Sequence, residues 1–516
     1  MKRKISLQTH LGEKIVTQNK VDNIPIDVYE SLNQREIGFS LLIKGSAGTG
    51  KTTLALSLLS IIKDAVPIYI STRVAPQSLY IQFPWIQEIL KENNILDATR
   101  TYFPPVNDPS ELKAHLLRTM KFKDAPEFLK ILYEKISEYE NAVVIVDSWD
   151  AIVGTSTKAS QEWETILTEI VRQLNLKLIL VSERENTSFL DYIVDGILTC
   201  SDNELDNRVL REMEINKIRG IERRQKRYAY TLFNNEFRYC SEYHEVYNGH
   251  TIDTPKVKKW KVIESSSNHG TYSTGNPEID KLYQGGLRPK SLNLWEIDSD
   301  VPLTAFSHII VPIICNFVSQ NFGTIIYTAE GLNSRFIDKN KLFVYLQMDH
   351  IRKYVRYLVE SVGDERLDKK FEVLPYVIPF SPSTFKQKYT DTYVELGEKS
   401  GYSPIISVMG YDFLNFGDQS FLELSSETYF RNHIKFIRNH NSIEIAIVRG
   451  SDPSKNTPQR RFIENISYFF NTHMKMIYRN NVILIYGVKP STQLMWCKIE
   501  PKKHHPLAKV TLIPMV

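Results

Sequence analysis

The chain has 516 residues, too many for one ordinary hydrophobic core, so two or three domains are expected. Its composition, 42% apolar and 24% charged, is that of a globular protein, and a net charge of +4 gives no global signal of nucleic-acid binding. The four cysteines are scattered without C-x-x-C spacing, which argues against a zinc site or a disulfide framework. The basic N-terminal stretch lacks a signal-peptide core, and no run of about 18 apolar residues predicts a membrane span, so we expect a cytoplasmic protein.

A glycine-rich segment between a strand-like run and a helix-like run is the strongest feature of the chain. A short helix is predicted at 26–32, an apolar strand at 39–43, and a helix at 54–62 after the glycines. Glycines let the backbone aim its N–H groups at phosphate oxygens, and the helix N-terminus adds a partial positive charge. Lys51 can reach the β- and γ-phosphates, and the Thr52 hydroxyl can ligate Mg²⁺. The predicted nucleotide-binding residues are Gly45, Ser46, Ala47, Gly48, Thr49, Gly50, Lys51, Thr52 and Thr53.

The rest of the first half reads as alternating strands and helices. Strands are predicted at 66–71, 142–146 and 176–182, and helices at 112–120, 126–139 and 161–174. The continuous apolar run before Asp147 suits a parallel strand that is buried on both faces. P-loop enzymes hold Mg²⁺ with an acidic residue at the tip of such a strand, so we predict that role for Asp147. The alternative is an aspartate that caps the following turn.

A basic run follows, from Arg208 to Arg227, with eight basic residues and three acids. Residues 211–218 alternate polar and apolar, as a half-buried strand should. Two interpretations stay open: a solvated strand with a basic loop, or a surface that contacts phosphates or an acidic partner.

The ordered set of P-loop, VPIYIS, VVIVDS, DYIVDG and INKIRG resembles the RecA-type ATPases of the KaiC and GvpD group, over nearly all of residues 20–240. KaiC is a circadian-clock ATPase and GvpD is an archaeal gas-vesicle regulator. The STRVAPQ stretch, the missing Gly-Gly-Leu segment and the basic run lie nearer to GvpD. The resemblance implies ATP and Mg²⁺ as ligands and assembly into rings. It also implies that Lys217 and Arg219 contact a γ-phosphate, across a subunit interface or locally.

One departure from the KaiC pattern bears on hydrolysis. KaiC-like proteins carry a Glu-Glu pair after the second strand, and the corresponding positions here are Arg73 and Val74. Neither side chain can act as a carboxylate base. Glu183, after a later strand, is a candidate substitute, and a helix cap or surface residue is the alternative for it. Nucleotide binding is therefore predicted, but rapid hydrolysis is not.

The second half repeats the pattern without its glycine loop. We predict a first domain at 1–247, a linker at 248–268 and a second domain at 269–516, which opens with a KaiC-like STGNPEID segment. In that second domain Leu303 stands where the P-loop lysine should be.

Three further changes separate the second domain from a nucleotide-binding one. Asp298 and Asp300 add negative charge where phosphate would lie, and Pro302 supplies no N–H. Lys498-Ile499-Glu500 stands where Lys-Ile-Arg is expected. We expect this domain not to bind nucleotide and to persist for packing or partner contact.

The sequence therefore predicts an α/β protein of two tandem RecA-like P-loop domains, each a mainly parallel sheet flanked by helices, with one nucleotide site. The leading hypothesis is an ATP-binding regulatory switch with weak or no ATPase activity, acting through a homo-oligomer or a regulatory partner. The first alternative is a recombinase paralogue that binds DNA through the run Arg208 to Arg227. The second is a competent ATPase, whose catalytic residues would be Lys51, Asp147 and Glu183.

Overall fold

The computed structural model describes residues 23–33, 38–72, 74–97, 132–133, 135–137, 139, 141–153, 157–244, 259–265, 270–327, 345–360, 377–380, 384–411, 427–450, 458–501 and 507–516. Backbone contacts divide the chain into two units. The first runs to Cys240 and includes Met515–Val516, and the second is Ser241–Pro514. The predicted domain limits stay a prediction, because residues 248–258 and 266–268 of the proposed linker lie outside the described ranges.

The first unit is one sheet with helices. Its strands are β1 (Phe39–Lys44), β2 (Val66–Ser71), β3 (Ile95–Asp97), β4 (Ala142–Asp147), β5 (Lys177–Val181), β6 (Gly196–Leu205), β7 (Arg208–Ile218), β8 (Arg227–Thr231) and β9 (Arg238–Tyr239). Its helices are α1 (Ile26–Asn33), α2 (Lys51–Leu59), α3 (Pro76–Gln82), α4 (Trp149–Val153), α5 (Thr157–Gln173) and α6 (Phe189–Ile193). The predicted helix at 112–120 and most of that at 126–139 lie outside the described residues.

The order of the strands is β3-β2-β4-β5-β1-β6-β7-β8-β9. The strands from β3 to β6 are parallel, and β6 to β9 are antiparallel. All six residues of β1 and all five of β5 are buried, since apolar clusters cover both faces of the parallel part. Strand β5 lies between β1 and β4, so the carboxyl ends of these three strands meet at one edge of the sheet.

The second unit repeats this plan. Its strands are β10 (Ser291–Ile297), β11 (Thr324–Tyr327), β12 (Val355–Glu360), β13 (Val377–Phe380), β14 (Ile406–Gly410), β15 (Ile443–Arg449), β16 (Thr472–Arg479), β17 (Val482–Lys489), β18 (Met495–Glu500) and β19 (Lys509–Pro514). Its helices are α7 (Pro277–Leu282), α8 (Leu303–Ser319), α9 (Met348–Tyr354), α10 (Phe385–Ser400), α11 (Glu427–Asn439) and α12 (Pro458–Ile466).

Both sheets have the same internal arrangement. The order in the second unit is β13-β12-β11-β14-β15-β10-β16-β17-β18-β19, again parallel up to β16 and antiparallel beyond. Strand β10 takes the place of β1, and β17 takes the place of β7. The predicted fold of two tandem, mostly parallel α/β RecA-like domains is confirmed. Within the described ranges, every helix is too short or too polar to cross a bilayer.

Candidate nucleotide site

The glycine loop joins β1 to α2 and occupies residues 45–50. Gly45 has φ +146°, and a Cβ there would lie 2.3 Å from the carbonyl oxygen of Cys200 on β6. Gly48 has φ +86°, and a Cβ there would meet no atom within 4 Å. Glycine is thus required at the first position by both conformation and space, and at the second by conformation.

The loop carries the predicted lysine. Lys51, the first residue of α2, is 6% exposed, and its Nζ donates to the Ser46 carbonyl at 2.6 Å. The Thr49 hydroxyl donates to the same carbonyl at 2.9 Å. The ammonium group therefore lies over the loop and beside the N-terminus of α2, where two sources of positive potential add.

The metal side of the site is built by a hydroxyl and a carboxylate. Thr52 Oγ1 donates to Asp147 Oδ2 at 2.6 Å, and the Tyr69 hydroxyl donates to the same oxygen at 2.9 Å. Burial, together with the negative charge of Asp147, raises the pKa of Tyr69 well above its ordinary value, so Tyr69 stays a proton donor. These groups fit Mg²⁺, which commonly takes one or two protein oxygens and completes its shell with phosphate and water.

Sequence reasoning missed Tyr69, although it lies within the predicted VPIYIS strand. Its place became visible only with the pairing of β2 and β4, which sets Tyr69 opposite Ile145, two residues before Asp147. No cluster of three or more acidic, histidine or cysteine side chains that could hold a metal occurs among the described residues. A Mg²⁺ ion held with the help of phosphate oxygens does not need one.

Glu183 enters the site from β5, the strand between β1 and β4. Asp150, also missed from the sequence, fixes the backbone there. Its Oδ2 accepts from the Glu183 N–H at 2.6 Å and from the Ser182 hydroxyl at 2.9 Å. Arg184 Nε lies 3.1 Å from Asp150 Oδ1. The buried strand β5 and this carboxylate together present Glu183 at the cavity wall.

These elements enclose a cavity of about 320 Å³. Val74 lines it, whereas Arg73 lies outside the described residues. The other residues that line it are Ala47, Gly48, Gly50, Lys51, Thr52, Thr53, Tyr69, Ser71, Asp147, Ser148, Val181, Glu183 and Leu232. Lys51, Thr52, Asp147 and Glu183 thus line one cavity, and their roles as site residues stay a prediction.

Lys217 and Arg219 do not line that cavity. Lys217 Nζ donates to the carbonyls of Asp191 and Tyr192 at 2.9 and 3.0 Å, and Arg219 contacts Asp195 at 3.3 Å. Asp195 in turn accepts from the hydroxyl of Ser40, near the start of β1, at 2.8 Å. Burial, followed by the charge of Arg219, lowers the pKa of Lys217. The alternative of local contact with a γ-phosphate is therefore wrong for this arrangement, and contact across a subunit interface stays a prediction.

The basic run is satisfied largely within the first unit. Three of its arginines donate to backbone carbonyls: Arg208 to that of Asp206, Arg211 to that of Gly48 and Arg223 to that of Ile215. Arg211 also pairs with Asp202, Arg219 pairs with Asp195, Arg224 pairs with Asp27 and Glu30, and both Lys226 and Arg227 pair with Glu214. Lys217 donates to the two carbonyls given above. This pattern favours a structural role for the run over a phosphate-binding surface.

A family model described as GvpD gas vesicle protein, P-loop domain, matches residues 29–216, which contain the glycine loop, Asp147 and Glu183. Residues 29–216 are therefore similar to the P-loop domain of GvpD. Among curated relatives, Protein GvpD1 of Halobacterium salinarum is 27% identical over 297 residues, covering 56% of this chain and 53% of the relative. Protein GvpD2 of the same organism is 23% identical over 505 residues, covering 93% of this chain and 94% of the relative. The predicted resemblance to GvpD is confirmed.

The loop of the second unit differs from the glycine loop of the first. Residues 298–302 join β10 to α8 without a glycine, and Val301 is fully buried in the core. Asp298 is 5% exposed and lies 3.3 Å from Arg479 Nη1. Arg449 Nη2 donates to the carbonyls of Ser299 and Val301 at 3.0 and 3.3 Å. Side chains of the unit itself thus hold this loop.

One predicted correspondence in the second unit is wrong. Lys498-Ile499-Glu500 lies on β18, whereas the strand that takes the place of β7 is β17, which ends at Lys489. The tripeptide therefore does not occupy the position of Lys217-Ile218-Arg219.

Proposed function

We propose that this GvpD-type protein is an ATP-binding regulatory switch with weak or no ATP hydrolysis, which acts in gas-vesicle regulation through assembly or a protein partner. The observation that carries the proposal is the Thr52–Asp147 hydrogen bond of 2.6 Å on the same cavity wall as Lys51. A hydroxyl, a carboxylate and an ammonium group in this arrangement suit a Mg²⁺-triphosphate. Bound Mg²⁺ would neutralise phosphate charge, while the backbone N–H groups of the loop and Lys51 would orient the phosphates.

The proposal includes one nucleotide per chain. In the second unit, a shorter loop without glycine carries Asp298, and its Val301 side chain is buried in the hydrophobic core. Two arginines hold the carbonyls and the carboxylate of that loop. A triphosphate would have to displace these contacts and would meet the Asp298 carboxylate, and Leu303 stands where the P-loop lysine should be.

Titration calorimetry with Mg²⁺ and a non-hydrolysable ATP analogue tests the site. We expect one analogue per chain, no binding by Lys51→Ala, and unchanged binding by Lys63→Ala, which alters an exposed lysine just after α2. Two equivalent sites per chain, or none, would contradict the proposal. Light scattering during the titration tests the switch, because an analogue that binds without changing particle size or partner affinity argues against it.

Hydrolysis is a separate part of the proposal. Asp147 and Glu183 are the carboxylates among the described residues that line the cavity, and Asp147 is engaged by Thr52 and Tyr69. Glu183 is therefore the candidate base, and Asp150 is its positioning residue. We expect Glu183→Gln to abolish any slow turnover while analogue binding stays intact. If Glu183→Gln hydrolyses ATP at the parental rate, Glu183 is not the base.

The DNA-binding alternative has less support, since the cations of the basic run contact groups of their own unit. Binding of single-stranded DNA with a steep salt dependence would favour it. Affinity that hardly changes between low and moderate salt would exclude it.

A further inference from the structure

Strands β6 and β7 extend beyond the sheet at the edge where the glycine loop lies. Strand β6 pairs with β1 only from Gly196 to Thr199, and Thr199 is opposite Lys44, the residue before Gly45. Beyond that point, β6 pairs with β7 alone, from Ser201↔Glu212 to Leu205↔Arg208. Residues 201–211 therefore form a two-stranded hairpin arm that continues past the end of β1.

One side chain joins this hairpin arm to the phosphate-binding loop. Arg211 Nη1 donates to the carbonyl of Gly48 at 3.0 Å and lies 2.5 Å from Asp202 Oδ1, on the opposite strand of the arm. The Arg211 side chain is only 15% exposed, so solvent screens its charge weakly compared with that of a surface arginine. Its Nε is buried without a hydrogen-bond partner among the described residues. Arg211 thus places a positive charge, and an N–H group that makes no hydrogen bond within the described residues, next to the Gly48 carbonyl of the loop.

Arg211 contacts a carbonyl of the loop, a group that cannot donate a hydrogen bond to phosphate. In a P-loop the N–H groups point toward the phosphates, which leaves carbonyls available on the outside. The next strand holds the neighbouring carbonyl in the same way, since the Tyr230 hydroxyl donates to Thr49 O. The antiparallel part of the sheet therefore supports two successive carbonyls, and Arg211 connects one of them to the hairpin arm.

We propose that Arg211 is a positioning residue of the nucleotide site, which holds the glycine loop through the Gly48 carbonyl. When a nucleoside triphosphate binds in the loop, Arg211 couples that binding to the stability of the hairpin arm. The inference rests on the proposed nucleotide site and names a route by which that site regulates the surface of the first unit. The arm suits such a role because, among the described residues, its strands pair only with each other. Its local opening should therefore respond to the gain or loss of a single contact.

Hydrogen exchange on the full chain tests the inference. Amide exchange in the loop and in the hairpin arm is measured with and without a saturating Mg²⁺ complex of a non-hydrolysable ATP analogue. In the parent, the analogue is expected to slow exchange at residues 201–211 by about fivefold or more. In Arg211→Gln, we expect roughly tenfold weaker binding, and at saturation slowed exchange in the loop but not in the arm.

Two further variants separate positioning from a general structural effect. Arg227→Gln removes an arginine of the same sheet that pairs with Glu214 and is 56% exposed, and it is expected to behave as the parent. Arg211→Lys keeps the charge but loses the fork that reaches Gly48 and Asp202 together, so it should restore affinity more than arm protection. It also serves as the test variant if Arg211→Gln fails to fold.

The outcomes distinguish this inference from the proposed function. If the parent does not bind the analogue, both fail. If the parent binds it but exchange in the hairpin arm does not change, only the inference fails. The inference also fails if Arg211→Gln, saturated with the analogue, shows the same slowing of exchange in the hairpin arm as the parent.

Discussion

Two glycines of the same loop should respond differently to the same substitution. Alanine at Gly48 adds only the strain of a positive φ, about 1–2 kcal/mol, because its methyl group would meet no atom within 4 Å. Alanine at Gly45 adds a methyl group 2.3 Å from the Cys200 carbonyl oxygen, a backbone atom that cannot turn aside. To relieve that overlap β1 must separate from β6, so we expect a loss of more than about 4 kcal/mol in the free energy of unfolding of the first unit.

The urea dependence of hydrogen exchange at β1 amides gives this free energy in the full chain. Gly401→Ala is the control for strain alone, since Gly401 follows α10 with φ +65° and equally open space; because it lies in the second unit, its cost is measured at amides of α10. Gly48→Ala should also bind the ATP analogue more weakly, because Gly48 lines the cavity and alanine strains the loop there. The reasoning is refuted if Gly48→Ala and Gly45→Ala destabilise the first unit equally, or if Gly45→Ala costs no more than Gly401→Ala.

Three other predictions follow from the site and its surroundings. Asp147→Asn should reduce the affinity for the Mg²⁺–analogue complex to the value that the parent shows in EDTA, and calorimetry with and without Mg²⁺ measures this. Asp150→Ala removes the acceptor for the Glu183 N–H and should cost about 2 kcal/mol in urea unfolding, with faster amide exchange at Glu183. Hydrogen bonds from Lys226 and then Arg227 lower the pKa of Glu214 below 4.5, so its stabilisation is present above pH 4.5 and is lost as pH falls through the folded-state pKa. Glu214→Gln should therefore be less stable than the parent at pH 7, by under about 1 kcal/mol because Lys226 and Arg227 are largely exposed. In strong acid the two proteins should be equally stable. If the difference in the free energy of unfolding is the same in acid as at pH 7, the pairing is contradicted.

The sequence was informative wherever the determinants are local. The glycine spacing placed Lys51 and Thr52, and the VPIYIS run was found as β2 with the bounds predicted, Val66–Ser71. Asp147 could be placed because a fully apolar run predicts a buried parallel strand. The residue that ends such a strand lies at the carboxyl edge of the sheet. Glu183 also lines the cavity, since it follows β5, which lies between β1 before the glycine loop and β4, which ends at Asp147.

The residues that sequence reasoning missed act through contacts between distant segments. Tyr69 and Asp150 became visible only through the pairing of β2 with β4 and through the loop after β5. The positions of Lys217 and Arg219 depend on the register of the β6–β7 hairpin, which no local pattern encodes. The Lys498 tripeptide was assigned one strand too early, because a three-residue pattern cannot identify its strand when successive hairpin strands are so similar.

The two loops after β1 and β10 show how one fold can keep or lose a ligand site. In the first unit, the glycines allow the backbone N–H groups of the loop to donate hydrogen bonds to a bound anion. In the second, Val301 packs into the core and Arg449 and Arg479 bind the groups that a ligand would otherwise meet. A loop already satisfied by its own side chains has little to gain from a ligand. We therefore infer that any nucleotide-dependent change begins in the first unit, and that substitutions at Arg449 or Arg479 should alter stability without altering the response to ATP.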